Sequence, residues 1–425
     1  MKKNVLVFPC GSEVGLEINR ALAHSTHFTL IGANSVDDHG KFVYKNYVSG
    51  VPFIDDLNFI SVLNLLIEEH NIDFIIPAHD SAVLLMAEHR HLINAVVITS
   101  STATCQLTRS KKSTYELLKN FLPTPCVYNP GNVFQFPVFL KPDVGQGSRG
   151  TYKVNNLEEL DFCLKKDPSL LILEYLPGKE FTIDCFTDRH GVLLFSEARE
   201  RARISGGISV NSKAVSDPRF HQLAETINKH IQFQGVWFYQ VKERQDGDFV
   251  LMEISPRVAG TMSLFRANGV NFIQLSLFDR MGFDVSVLNN GLAIEVDRAL
   301  ISRFQINENY DFVYIDFDDT IIVDNQVNSE AMQFLYQAKN LGKRIILISK
   351  HILNISESLN RFCISELLFD EIIILEKNER KSDYIVNLNA IFIDDSFAER
   401  KDVLDQLHIP VFSVDAISSL ISWRV

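Results

Sequence analysis

No two of the six cysteines in this 425-residue chain form a C-x-x-C pair or a zinc spacing. Cys10, Cys105, Cys126, Cys163, Cys185 and Cys363 are scattered, as reduced and mostly buried thiols are, which argues against a disulfide framework. Long apolar runs are also missing, since no segment approaches the roughly 18 residues of a membrane span. The opening MKKNVLVFPCG carries an apolar run of only about five residues before Gly11, Ser12 and Glu13, too short for a signal peptide. Together these absences predict a cytoplasmic chain with no membrane partner. A surplus of positive charge is absent as well. The formal charge of −12 repels nucleic acid, so any phosphate binding must come from local Lys, Arg and backbone N–H groups. What is present is globular: 46% hydrophobic residues, in a chain long enough for about three domains of 100 to 200 residues each.

Residues 1–108 alternate short apolar strands with helical patterns: NVLVF, a helix through Val14 to Ala23, FTLIGA, a helix near Leu57 to Glu69, DFIIP and AVVIT. The alternation predicts a Rossmann-like parallel α/β sheet. Gly11 and Gly15 punctuate its first turn, but without G-x-G-x-x-G spacing, so a plain strand-to-helix turn competes with a nucleotide-binding one. Over 109–285 the pattern becomes α+β, with antiparallel-looking strands PVFLKP, LLILEYL, EFTIDCF, GVLLFSEA, GVWFYQVKE and DFVLMEIS between glycine turns. Residues 286–309 read as a connector with room for one strand. From 310 to 425 the βα alternation returns in FVYIDF, a helix through Ala331 to Asn340, RIILIS, EIIIL, AIFIDD and VFSV.

The segment PVFLKPDVGQGSRGTYKV sets Lys141 near a strand end and follows it with Gly145, Gly147, Ser148, Arg149 and Gly150. Glycines let a backbone approach phosphate oxygens and donate N–H groups, while the lysine supplies a point charge. About 30 positions later LILEYLPGKEF offers Glu174 at a strand end and Glu180 after a Pro177-Gly178 turn. In these features the chain resembles the ATP-grasp superfamily over roughly residues 1–285, in a carboxylate–amine ligase-like form with the preceding α/β unit as its N-terminal domain. The resemblance implies that Lys112, with adjacent Lys111 as rival, and Lys141 bind nucleotide phosphates. It makes GQGSRG, with Gly147 and Ser148, a flap over the triphosphate. Glu174 then accepts from the adenine amino group, Tyr175 and Leu176 offer backbone contacts, and Glu180 holds the ribose.

The metal side departs from the family. VLMEISPRVAG resembles E-x-N-P-R-x-G, with Glu253 and Arg257 present and Ser255 in place of Asn, while Gln240 stands where an acidic ligand is common. Amide and hydroxyl oxygens still suit Mg²⁺, so Gln240, Glu253 and Ser255 are the implied ligands and Arg257 the implied catalytic cation. Arg199, Arg201 and Arg203 precede a Gly206-Gly207 turn and suit a substrate carboxylate or a moving phosphoryl group, or else a solvated face.

In the last third, FVYIDFDDTI, RIILISK, RKSDYI and AIFIDDS each follow or supply a polar residue at a predicted site edge: Asp316, Asp318, Ser349, Lys381, Asp394 and Asp395. A parallel sheet gathers strand carboxyl ends at one edge. The set resembles the haloacid dehalogenase-like phosphohydrolases over about 310–425. That resemblance makes Asp316 the nucleophile, Asp318 the general acid/base and possible additional metal ligand, Ser349 and Lys381 (with Lys377 as rival) the phosphoryl holders, and Asp316, Asp394 and Asp395 the Mg²⁺ ligands. The 28 residues between Thr320 and Ser349, and the 31 between Ser349 and Lys381, leave no room for a cap domain.

The whole predicts a bifunctional enzyme with ATP and Mg²⁺ (Mn²⁺ as an alternative), acting on a small-molecule carboxylate, an amine and a phosphoester, with a homodimer expected from relatives. Two other readings stay open: a small-molecule kinase, which Gln240 and Ser255 keep alive, and a nucleotide-binding scaffold with inactive domains.

Overall fold

The computed structural model describes residues 2–133, 135–145, 147, 149–306 and 309–424. They divide into two compact units, residues 1–300 and 301–424, a boundary that falls inside the expected connector. Both units are mixed α/β.

The first unit opens with a five-stranded, all-parallel sheet in the order Asn46–Val48, Phe28–Ala33, Lys3–Phe8, Phe74–Pro77, Val96–Val97. Lys3–Phe8 is the central strand, and its run of apolar residues is buried on both faces, as a covered parallel sheet requires. Helix Glu13–Leu22 follows directly. Ser12 caps it by accepting from the Gly15 amide, and Gly15 packs so closely that a Cβ there would meet the Cys10 carbonyl at 2.3 Å. This glycine serves close packing of the helix on the turn that precedes it.

Two antiparallel sheets complete the unit. The smaller has the order Val127–Tyr128, Leu171–Glu174, Val138–Lys141, Tyr152–Val154, so the glycine loop joins two neighbouring antiparallel strands. The larger runs Phe249–Ser255, Gly235–Glu243, Glu180–Thr187, Leu193–Ser205, Ile208–Val215, Glu295–Asp297. Period-two alternation sorts its side chains. Phe181, Ile183, Tyr239, Val241, Leu251 and Ile254 pack with helix Pro218–His230 in one core, while Glu180, Gln240 and Glu253 emerge on the other face. The strand Glu295–Asp297 belongs to this sheet, pairing with Asn211–Lys213.

The second unit is a parallel sheet in the order Glu371–Ile374, Arg344–Ser349, Phe312–Ile315, Ala390–Ile393, Val411–Phe412. Val313, Ile315, Leu347 and Ile391 fill a core on one face, and Tyr314, Ile346, Ile348 and Phe392 one on the other. A small hairpin, Ile322–Val323 with Gln326–Val327, turns on Asp324 and Asn325, both at positive φ, the conformation a two-residue hairpin turn demands. It is the only insertion between Asp318 and helix Ser329–Asn340. Among the described residues, no helix is long and apolar enough to cross a membrane.

Candidate active sites

The first unit contains two adjoining cavities of about 140 and 130 Å³. They share Lys111, Gly147, Arg201, Gln240 and Glu253 along their common wall. Lys141, Glu174, Tyr175, Leu176 and Glu180 line the first cavity alone. These side chains come from both antiparallel sheets. Gln240 and Glu253 are cross-strand neighbours, and Arg201 reaches Glu180 at 2.9 Å.

Lys141 is 5% exposed and donates to the Met252 carbonyl at 3.2 Å. Burial pulls its pKa down to about 7, with Glu253 and Glu180 opposing and Lys111 adding to the fall. Glu174 is held by Arg244 at 2.5 Å. Gly147 sits at φ +61°, a left-handed conformation that suits glycine. Ser148 lies outside the described residues.

Lys112 is a correction. Its side chain is exposed and lines neither cavity, and its backbone N–H donates to Asp143 at 2.7 Å. Lys111 instead is buried, lines both cavities, and donates to the Asp143 and Gly145 carbonyls. The physical reason is the start of helix Lys111–Leu118. Ser110 caps it by accepting from Ser113, so residue 111 is the first helical position and faces the cavity while residue 112 turns outward.

The second cavity is rich in guanidinium groups. Arg257 is clasped by Asp80, Nε and Nη2 each 2.7 Å from a carboxylate oxygen. Ser255, expected as a metal ligand, donates to the same carboxylate at 2.8 Å, so its hydroxyl is already engaged. Burial alone would raise the Asp80 carboxyl, but Arg257 and Ser255 hold it well below the usual carboxylate range. Glu13, first residue of its helix, pairs with Arg298 at 2.7 Å. Arg199 is 1% exposed and bonds Asp184 through Nε and Nη2, while its Nη1 has no partner among the described residues. Arg203 is exposed and pairs with Asp297, away from both cavities. Asp80, Glu13 and Arg298 were not foreseen.

In the second unit the strand ends converge. Asp316 follows strand Phe312–Ile315, Asp394 follows Ala390–Ile393, and Lys381 Nζ lies between them at 2.6 and 2.5 Å. Carboxylate oxygens of Asp316, Asp394 and Asp395 all lie within 4.8 Å of one another. Lys381 offsets one of these three charges, so the donor set fits an oxygen-seeking divalent cation. Burial pushes Asp316 up to about 6, with Lys381 opposing and Asp394 adding. Burial alone would lower Lys381, but the two carboxylates outweigh it and hold its pKa above the ordinary value. Ser349 closes its strand with Oγ buried beside Asp316, whose carboxyl its hydroxyl helps to hold down against burial. Thr320 Oγ1 accepts from the Asp395 amide at 3.0 Å, tying the two loops. Asp318 is a correction as a metal ligand, for its carboxylate stands outside the three-carboxylate group and is engaged by His351 at 2.9 Å. Sequence reading had not singled out His351.

Residues 166–307 match the family model described as ATP-grasp in the biosynthetic pathway with Ter operon, which supports an ATP-grasp domain in the chain. The large chain of carbamoyl phosphate synthase from Clostridium botulinum is 29% identical over 183 residues, 39% of this chain and 17% of that one. A D-alanine–D-alanine ligase from Petrotoga mobilis is 33% identical over 92 residues, 20% of this chain and 31% of that one. This chain therefore spans less than a third of either relative. By fold, the biotin carboxylase domain dimer of Hydrogenobacter thermophilus 2-oxoglutarate carboxylase, solved with MgADP and bicarbonate, is similar with a TM-score of 0.57 and 16% identity, covering 69% of this chain and 72% of that one. An L-amino acid ligase from Bacillus licheniformis is similar with a TM-score of 0.53 and 18% identity, covering 65% and 73%.

Proposed function

We propose that this chain is a two-site enzyme, an ADP-forming carboxylate–amine ligase in residues 1–300 and a Mg²⁺-dependent phosphohydrolase of the haloacid dehalogenase-like class in residues 301–424. The ligase reading rests on one observation: a cavity bearing Lys141, Glu174 and Glu180 opens at Lys111, Gln240 and Glu253 onto a second, guanidinium-rich one. The first is assigned to ATP and the second to an anionic substrate. Lys111 and Lys141 hold phosphoryl oxygens, Glu174 and Glu180 hold adenine and ribose, and Arg199 Nη1 is a buried donor available to a carboxylate. Glu253 and Gln240 would hold Mg²⁺, which when bound would offset charge on the phosphates. The substrate carboxylate attacks the γ-phosphorus, ADP leaves, and the amine displaces phosphate from the acyl-phosphate. Neighbours solved with ATP or ADP agree with this nucleotide, and the dimeric neighbour suggests a homodimer.

Purified protein is expected to release ADP steadily only when a carboxylate and an amine are both supplied. Release with neither, or AMP instead of ADP, sinks the reading. The engagement of Ser255 by Asp80, which leaves a sparse metal side, favours a small-molecule kinase as the second reading. A stable phosphorylated product after one turnover would identify it, where an amide would identify the ligase. Lys111→Ala is expected to weaken nucleotide binding about tenfold through loss of one charge-assisted contact, and Lys112→Ala to change it less than about twofold, as exposed charges do. Titration calorimetry with ATP and Mg²⁺ decides between the two lysines.

The phosphohydrolase reading rests on the buried Asp316–Lys381–Asp394 arrangement. An oxygen of Asp316 attacks phosphorus as the bond to the leaving oxygen breaks, and Asp318 supplies that oxygen's proton. Water, giving a proton to Asp318, then releases inorganic phosphate from the aspartyl-phosphate. Asp316, Asp394 and Asp395 would hold Mg²⁺, which withdraws charge from the phosphoryl oxygens, while Ser349 and Lys381 donate to them.

A further inference from the structure

The proton donor of such a centre must be aimed, and Asp318 is poorly placed to aim itself. Its side chain is 53% exposed, on a short stem whose rotamers are free in water. One neighbour removes that freedom. His351 Nδ1 lies 3.0 and 2.9 Å from the two Asp318 carboxylate oxygens, so a single N–H faces both. The other ring nitrogen, Nε2, lies 2.7 Å from the hydroxyl of Ser358 on helix Ile355–Arg361. The ring stands edge-on to Phe317, centroids 5.0 Å apart at 75°, and the His351 side chain is only 9% exposed. The residue before it is anchored too. Lys350 pairs with Glu399 on helix Phe397–Leu407 at 2.5 Å. Ser358 can donate to Nε2 while Nδ1–H donates to Asp318, a tautomer in which every polar atom of the ring has a partner.

We infer that His351 is a positioning residue of the phosphohydrolase centre, fixing the Asp318 carboxylate in the orientation from which its proton reaches the departing oxygen. The inference rests on the reading of Asp316 as nucleophile and Asp318 as acid. A rigid chain from helix to hydroxyl to ring to carboxylate lowers the entropy lost on reaching the reactive geometry. It adds no atom to the reaction. Its effect therefore scales with how much the leaving group needs a proton: an alkoxide needs one, whereas a nitrophenolate departs without it.

The test compares the activity of the 425-residue protein with Mg²⁺ on 4-nitrophenyl phosphate and on an alkyl phosphate. His351→Ala is expected to lose about 10²-fold in kcat/KM on the alkyl ester, the low end of general acid catalysis, with a loss at least about tenfold smaller on the aryl ester. His351→Asn, which returns an N–H near the Nδ1 position, should recover part of the difference. In the Asp318→Asn background the His351→Ala change should cost less than about threefold more, since both act through one proton. Equal losses on the two esters, or additive losses in the double variant, overturn the inference. Inactivity of the unmodified protein on both esters overturns the phosphohydrolase reading instead, and the inference falls with it.

Discussion

Asp316→Asn is expected to reduce Mg²⁺-dependent hydrolysis of 4-nitrophenyl phosphate by about 10⁴-fold or more, because no covalent phosphoenzyme can form on an amide. The exchange preserves shape, and the amide oxygen can still accept from Lys381, which now bonds Asp316 at 2.6 Å. Melting temperature should move the opposite way. Asp316 has a pKa raised from 3.8 to about 6, first by burial, then by Asp394 against the opposition of Lys381. Between those two values the folded chain binds more protons than the unfolded one, so stability falls as pH rises through the window and the full penalty stands above it. Asparagine carries no such penalty. Metal-free Asp316→Asn protein should therefore melt higher than the parent at pH 7.5, and the gap should close as pH falls towards 4. Hydrolysis persisting above about one per cent of the parent rate would remove Asp316 as nucleophile. A lower melting point at pH 7.5 would mean that its charge stabilises the fold.

The residues behind that expectation were legible because periodicity and polarity coincide: an apolar strand ending in Asp316, and another ending in Asp394, announce a carboxyl edge. His351 was not legible, because nothing in ISKH says that a loop two residues past Ser349 folds back onto Asp318. The same contrast runs through the first unit. Lys141, Glu174 and Glu180 lie at strand ends that the sequence marks with glycine turns, and they meet because two antiparallel sheets line one cavity. The choice between Lys111 and Lys112 turned on one hydroxyl: reading Ser110 as an N-cap would have put residue 111 first in the helix, whereas spacing to Leu117 and Leu118 pointed one residue too far. The strand Ile208–Val215 escaped notice because ISVNSKAV is half polar, although the Gly206-Gly207 pair before it is a hairpin signal. The clasp of Asp80 on Arg257 spans 177 positions and joins the parallel sheet's edge to the strand-end motif. No local pattern encodes it, and it accounts for Ser255 being drawn away from the metal side.

Lys141→Met should lower kcat/KM for ADP release by about 10³-fold, the upper range for removing one preorganised donor to a phosphoryl group, and should weaken ATP binding about 10- to 100-fold. Proton counting tests the cause more sharply. Burial lowers the Lys141 pKa from 10.5 to about 7, so at pH 8 only about a tenth of the free protein carries an ammonium there. A bound triphosphate favours the charged form and raises that pKa again. ATP–Mg²⁺ binding at pH 8, where the nucleotide itself is fully ionised, should then take up about 0.9 proton, falling to about 0.1 at pH 6 where the lysine is already charged. The sign is fixed by the direction of the shift: a lysine lowered in the free site and restored in the complex can only gain a proton on binding. Calorimetric titrations in Tris and in phosphate read this number from the buffer dependence of the heat. In Lys141→Met protein the uptake at pH 8 should vanish. Uptake of the same size in the variant would assign the proton to another group, and Lys111, whose pKa burial also lowers, is then the residue to replace.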